Sequence, residues 1–86
     1  MGYSSDYRKS ARKYLDTQSL SARLRIMNAV DKLPEGDVIK LQGREGYRLT
    51  VGGYRVLFRY TGETDDEGNE IIDITYIGPR GDVYKK

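Results

Sequence analysis

The 86-residue sequence predicts a single α+β domain spanning residues 1–86, with two N-terminal helices packed as a hairpin on one face of a four-stranded antiparallel sheet. Three observations carry that expectation. Two runs rich in β-branched and aromatic residues flank Gly52-Gly53 within Gly46–Tyr60, GYRLTVGGYRVLFRY, and glycine accepts the positive φ of a tight hairpin turn. Upstream, apolar residues recur at helical spacing in two stretches. The strand-like runs that follow are joined by short links, which enforce antiparallel pairing and leave both helices to cover one sheet face.

In chain order, residues 5–16 read as the first helix. Ser4 or Ser5 can cap it, Asp6 suits the positive end of the dipole, and Tyr7, Ala11, Tyr14 and Leu15 form the apolar stripe. Arg8, Lys9, Arg12 and Lys13 fill the opposite side. A second helix runs from Leu20 to Leu33, with Ser19 or Ser21 as cap and Leu20, Leu24, Met27 and Val30, joined by Ile26 and Leu33, as its apolar stripe. Pro34, Glu35 and Gly36 stop it. Val38–Leu41 is a short strand, and Gln42–Gly46 a turn. After the central hairpin, Thr61–Asn69 is an acidic, glycine-containing loop. Glu70–Ile77 is the last strand, ended by Gly78-Pro79 because proline cannot donate to a ladder.

Composition excludes several functions. With no cysteine and no histidine, the sequence has no disulfide framework, no thiolate site, and neither the usual near-neutral acid/base group nor the commonest metal ligand, so no metal and no small-molecule cofactor is expected. No apolar run is long enough for a membrane span, and the N-terminus has no apolar signal segment, which makes the cytoplasm the expected compartment and a membrane partner unexpected. The formal charge of +2 hides a segregation that favours a polyanionic partner. Residues 1–33 carry seven Lys/Arg against three Asp, and residues 40–60 five Lys/Arg against one Glu, while residues 61–74 hold six acids and no base.

A turn at Gly52-Gly53 sets Val51 opposite Tyr54, Leu49 opposite Val56 and Tyr47 opposite Phe58. One face then carries Tyr47, Leu49, Val51, Tyr54, Val56, Phe58 and Tyr60 and reads as core. The other carries Arg48, Thr50, Arg55, Leu57 and Arg59 and is left open by the helices. Like charges on neighbouring strands repel, so this face calls for a counter-charge.

Three features together resemble the RelE/ParE toxin superfamily of type II toxin–antitoxin systems, its RelE-like branch in particular. They are the basic helical hairpin, the run Leu41-Gln-Gly…Gly46-Tyr-Arg-Leu-Thr-Val-Gly-Gly-Tyr-Arg-Val-Leu-Phe-Arg-Tyr60, and the ending Ile77-Gly-Pro-Arg-Gly-Asp-Val-Tyr84. The resemblance covers nearly the whole chain. It implies a ribosome-dependent endoribonuclease that cuts messenger RNA through attack of a ribose 2′-hydroxyl on the adjacent phosphodiester. The implied partners are the ribosome, mRNA and a cognate antitoxin. Arg48, Arg55, Arg80 and Tyr84 match the catalytic positions. The arginines suit the charge that gathers on the pentavalent transition state, and Tyr84 suits stacking or orientation of the 2′-hydroxyl. Arg44, Arg59, Lys85 and Lys86 are the further RNA-binding candidates, and Arg8, Arg12, Arg23 and Arg25 the antitoxin-binding ones.

The sequence departs from the RelE pattern at two points. Thr50 stands where RelE has a second lysine. The strand that normally precedes the first helix is expected to be missing, because Met1–Tyr3 is too short for it, and its loss would leave one sheet edge unprotected. Two other readings stay open beside the nuclease: a ParE-like protein that inhibits DNA gyrase without catalysis, or a truncated, inactive toxin that only binds its antitoxin.

Overall fold

The hairpin forms in the expected register. The computed structural model describes residues 2–80, with β1 at Tyr3–Tyr7, α1 at Lys9–Asp16, α2 at Leu20–Asp31, β2 at Val38–Lys40, β3 at Tyr47–Val51, β4 at Tyr54–Thr64 and β5 at Glu70–Pro79. Val51 pairs with Tyr54, Thr50 with Arg55, Leu49 with Val56 and Tyr47 with Phe58. Gly52 takes φ 54°, which a side chain would resist at this turn.

The class is α+β, and the strand count corrects the expectation. The described residues form a five-stranded mixed sheet in the order β1-β5-β4-β3-β2. The strand expected to be missing is Tyr3–Tyr7, whose last three residues, Ser5–Tyr7, the sequence pattern places in the first helix. It lies parallel to β5, Tyr3 against Glu70 through Tyr7 against Ile74. The short-link rule governs β2 to β5, which follow one another, but not β1, which is separated from β5 by almost the whole chain. Ser4 and Ser5 therefore cap nothing. Helix α1 begins at Lys9 after Arg8, whose backbone N–H donates to the Ile74 carbonyl at 2.9 Å. Local cap chemistry was outweighed by a ladder along the edge of β5, and that edge is covered.

Helix α2 has the expected cap: Ala22 N–H donates to the Ser19 hydroxyl at 3.2 Å. Its buried stripe is narrower than expected. Ile26 and Val30, followed by Leu33, sit in the core, whereas Leu20, Leu24 and Met27 are 63%, 51% and 39% exposed. At 100° per residue the two sets lie roughly 120° apart around the helix, so one sheet can bury only one of them. The core is Ala11, Leu15, Ile26 and Val30 against Leu49, Val51, Val56, Phe58, Ile72, Ile74 and Ile77. Phe58, 1% exposed, stacks on Tyr47 at 5.6 Å between ring centroids and meets Tyr60 edge-on at 5.8 Å.

Strand β4 runs on to Thr64, and the acidic loop shortens to a turn closed by Asp65, whose carboxylate accepts from the backbone N–H groups of Glu67 and Asn69, each at 2.9 Å. The Asn69 N–H first, then the other donors, hold that carboxyl below its usual range. Strand β5 carries an irregularity where the register with β4 shifts between Leu57 and Phe58: Leu57 pairs with Tyr76, but Phe58 with Ile74. The extra residue re-phases the strand. Ile72 and Ile74 face the core before it and Ile77 after it, so Asp73 and Tyr76 fall on the same outer face despite their odd spacing.

Candidate functional site

The outer face of the sheet is built in cross-strand rows, because paired residues point their side chains the same way. Arg48, Leu57 and Tyr76 make one row, and Thr50, Arg55 and Gly78 the next. Arg48 and Arg55 are diagonal neighbours, which puts their Cβ atoms roughly 7–8 Å apart. Arg80 follows β5 directly, and its N–H donates to the Gly53 carbonyl at 2.8 Å, fixing it at the hairpin turn. Arg48 and Arg55 thus share one end of one face, and the backbone of Arg80, a third expected catalytic residue, is held beside it at the hairpin turn. The fourth, Tyr84, lies outside the described residues, as do Lys85 and Lys86.

One feature of this face differs from expectation. It is not open throughout: Arg55 is 4% exposed and Leu57 8%, while Arg80 is exposed. It also carries an acid. Asp73, 4% exposed, holds Arg59 at 3.0 Å and Arg8 at 3.6 Å. Arg59 also reaches Glu45 at 3.9 Å, so this RNA-binding candidate is neutralised within the fold. Arg44 is exposed on the loop before β3.

Sequence reasoning missed Tyr76. Its ring occupies the space where a side chain at position 78 would stand: a Cβ there would come within 2.6 Å of Tyr76 Cζ and 3.0 Å of Cε2. Gly78 is the cross-strand partner of Arg55, so the Tyr76 phenol lies over the strand on the arginine side, next to Arg55. The available signal was a tyrosine two residues before a glycine in a strand. Plain alternation from Ile72 and Ile74 would have sent Tyr76 to the core, and only the bulge reverses it.

The antitoxin candidates divide. Arg8 turns to Asp73 on the outer face. Arg25 lines a groove between α2 and β3 with Thr50 and Asp37. Arg12 and Arg23 share a separate groove between the helices. Among the described residues no three His, Cys, Asp or Glu side chains converge to hold a metal, and no helix is long and apolar enough to cross a membrane.

By sequence, the chain matches no protein-family profile and no curated protein. By structure it is similar to a chain of the archaeal RelE–RelB complex from Pyrococcus horikoshii OT3, with 26% identity, a TM-score of 0.67, and 95% of this chain covering 99% of that one. The fold is that of a RelE-like toxin. A second RelE-like neighbour, from the toxin–antitoxin complex RelBE2 of Mycobacterium tuberculosis, is 19% identical with a TM-score of 0.63, and 93% of this chain covers all of it. Both alignments span the arginine-bearing hairpin and the helices of this RelE-like chain, because together they leave out no more than a few residues.

Proposed function

We propose that this chain is the toxin of a toxin–antitoxin pair and that its outer sheet face cleaves messenger RNA on the ribosome, in the cytoplasm. The observation that carries the reading is the placement of Arg48, Arg55 and Tyr76 in neighbouring rows of one sheet face, with the backbone of Arg80 held at the hairpin turn beside them. The likeness to the RelE–RelB and RelBE2 chains supports an antitoxin as the protein partner.

In the reaction proposed, a ribose 2′-oxygen bonds to phosphorus while the bond from phosphorus to the 5′-oxygen breaks. The 2′-proton leaves to solvent or the ribosome, and the departing 5′-oxygen takes up a proton, giving a cyclic phosphate and a 5′-hydroxyl. The pentavalent transition state carries more negative charge than the substrate, and guanidinium groups fixed before substrate arrives stabilise it without reorganising. Arg55, held in a dry environment, acts more strongly on that charge than a solvated cation would. Arg80 grips the phosphate from the hairpin turn. Tyr76 and Tyr84 are the aromatic groups for base stacking and 2′-hydroxyl orientation. With no histidine in the sequence, positioning and charge stabilisation are the chain's contribution.

Single-turnover cleavage on programmed ribosomes tests this. Arg80→Ala, at an exposed position, is expected to lower the rate about 10²–10³-fold with the fold intact. Full cleavage by an Arg55→Ala, Arg80→Ala double variant would sink the reading. Two observations favour the gyrase alternative, the threonine at position 50 and the neutralisation of Arg59 by Asp73. Inhibition of gyrase supercoiling that survives in the same double variant would establish it.

A further inference from the structure

Beside the hairpin turn stands an arginine that the chemistry just described leaves unused. A methyl group on Gly52 would come 3.6 Å from the Arg25 Nη1, so the guanidinium of this α2 residue lies against the turn. A side chain on Gly53 would meet nothing within 4 Å, and the Gly53 carbonyl accepts from the Arg80 N–H at 2.8 Å. Between Arg25 and Arg80 the turn is therefore bare backbone, a surface that a ligand can approach closely. Arg25 is exposed, and among the described residues it enters no ion pair.

A groove of about 440 Å³ runs from this point between α2 and β3. Ala29, Leu49 and Val51 give it an apolar lining. Arg25 and Lys32 on it are equalled in charge by Glu35 and Asp37, so the position of Arg25 at the turn, not net charge, selects an anion. Thr50 joins the groove to the arginine face, because it lines the groove and also stands in the cross-strand row of Arg55. Strand β2 pairs with β3 only as far as Leu49, with one further bond from the Thr50 N–H to the Asp37 carbonyl at 3.0 Å. A chain leaving the face at Thr50 thus reaches the groove without crossing a strand.

We propose that Arg25 is a phosphate-binding residue of the RNA site and that the groove beside it takes the nucleotide flanking the scissile one. The RNA would pass from Arg48 and Arg55 over Thr50 and the bare turn to Arg25. The guanidinium fork meets the next phosphate, and the base lies on the apolar lining. Position 50 has no charge of its own, and α2 supplies a cation there from the helix side of the sheet. The proposal rests on the nuclease reading for the identity of its ligand.

The test uses the full chain and a short 2′-O-methyl oligoribonucleotide, which cannot be cut. Amide shifts at Gly52, Gly53 and residues 25–32, in addition to β3 and β4, are expected. Arg25→Ala should weaken binding about tenfold. It should also lower the slope of log affinity against log salt by about 0.7, the value for one phosphate contact on a single strand. Arg25→Lys should keep most of the affinity, Arg25→Met should not, and Thr50→Lys should restore it in the Arg25→Ala chain. A role confined to packing the turn gives the reverse: Arg25→Met suffices, Thr50→Lys rescues nothing and the salt slope stays. That reverse pattern, shifts confined to the outer face, or no binding of the oligonucleotide would overturn the proposal. So would wild-type affinity in Arg25→Ala, which would return Arg25 to the antitoxin-binding candidates. On programmed ribosomes, Arg25→Ala should raise the concentration for half-maximal cleavage about tenfold and leave the rate at saturation within about twofold. Oligonucleotide binding that depends on Arg25, without cleavage by the wild type, would remove the nuclease reading and keep the subsite. Cleavage indifferent to Arg25 would do the opposite.

Discussion

Removing either member of the Arg59–Asp73 pair should have unequal consequences. The carboxylate is 6% exposed at its side chain, whereas Arg59 is 42% and Arg8 58% exposed. At 3.0 Å and an effective dielectric constant of about 20, the gross attraction of Arg59 to Asp73 is about 5.5 kcal/mol, much of it offset by taking the carboxylate out of water. Arg59→Ala leaves the buried anion with only Arg8, 3.6 Å away and mostly solvated, so a loss of about 2–3 kcal/mol is expected, below the full 3–5 kcal/mol for stranding a buried charge. Asp73→Asn keeps the shape and frees two arginines that hydrate where they stand, so about 1 kcal/mol or less is expected. Urea melts of the single variants and the double variant give all three values, and the double variant should resemble Asp73→Asn rather than the sum. Equal losses for the two single variants, or a simple sum in the double, would refute the view that a buried carboxylate anchors this face. The outcome also bears on Arg59 itself: its truncation should lower stability before it lowers RNA affinity.

Phe58→Ala is expected to cost about 3–5 kcal/mol in a urea melt, because Phe58 is 1% exposed and its removal also takes away the ring that Tyr47 stacks on and Tyr60 meets edge-on. A midpoint like wild type would contradict the core assignment. Gly78→Ala would drive a methyl group into the Tyr76 ring, whose far end can swing away, so stability should change by about 1 kcal/mol while ribosome cleavage falls. Retained cleavage would remove Tyr76 from the site. Burial, with Asp31 adding to it and Arg12 opposing, pushes the Tyr7 hydroxyl from 10.0 up to about 12. Its folded-state value is raised, so the stability it contributes is full below pH 10, the unfolded value, and is lost as the pH climbs through 12. Tyr7→Phe should flatten that part of the alkaline limb, and parallel stability profiles for the two proteins would rule the effect out.

The glycine pair at 52–53 and the alternation around it determined the hairpin register, the core face and the diagonal placement of Arg48 and Arg55, because turn type and a period of two are local properties. Ser19 likewise announced the start of α2. Four decisions lay outside local information. Tyr3–Tyr7 became a strand because the edge of β5, some seventy residues away, offered a ladder that outweighed a serine cap. Leu24 and Met27 were left outside because α2 offers two apolar stripes and the sheet can bury one. Asp73 met Arg59 on the basic face because β5 pairs with β4 in that register, and Tyr76 came to lie beside Arg55 because a single extra residue in β5 reversed its phase. Sequence alone set the pattern of each element. Which stripe, edge or phase was used depended on a partner surface that exists only once the chain has folded, and the contents of the arginine face and the exposed stripe of α2 were settled there.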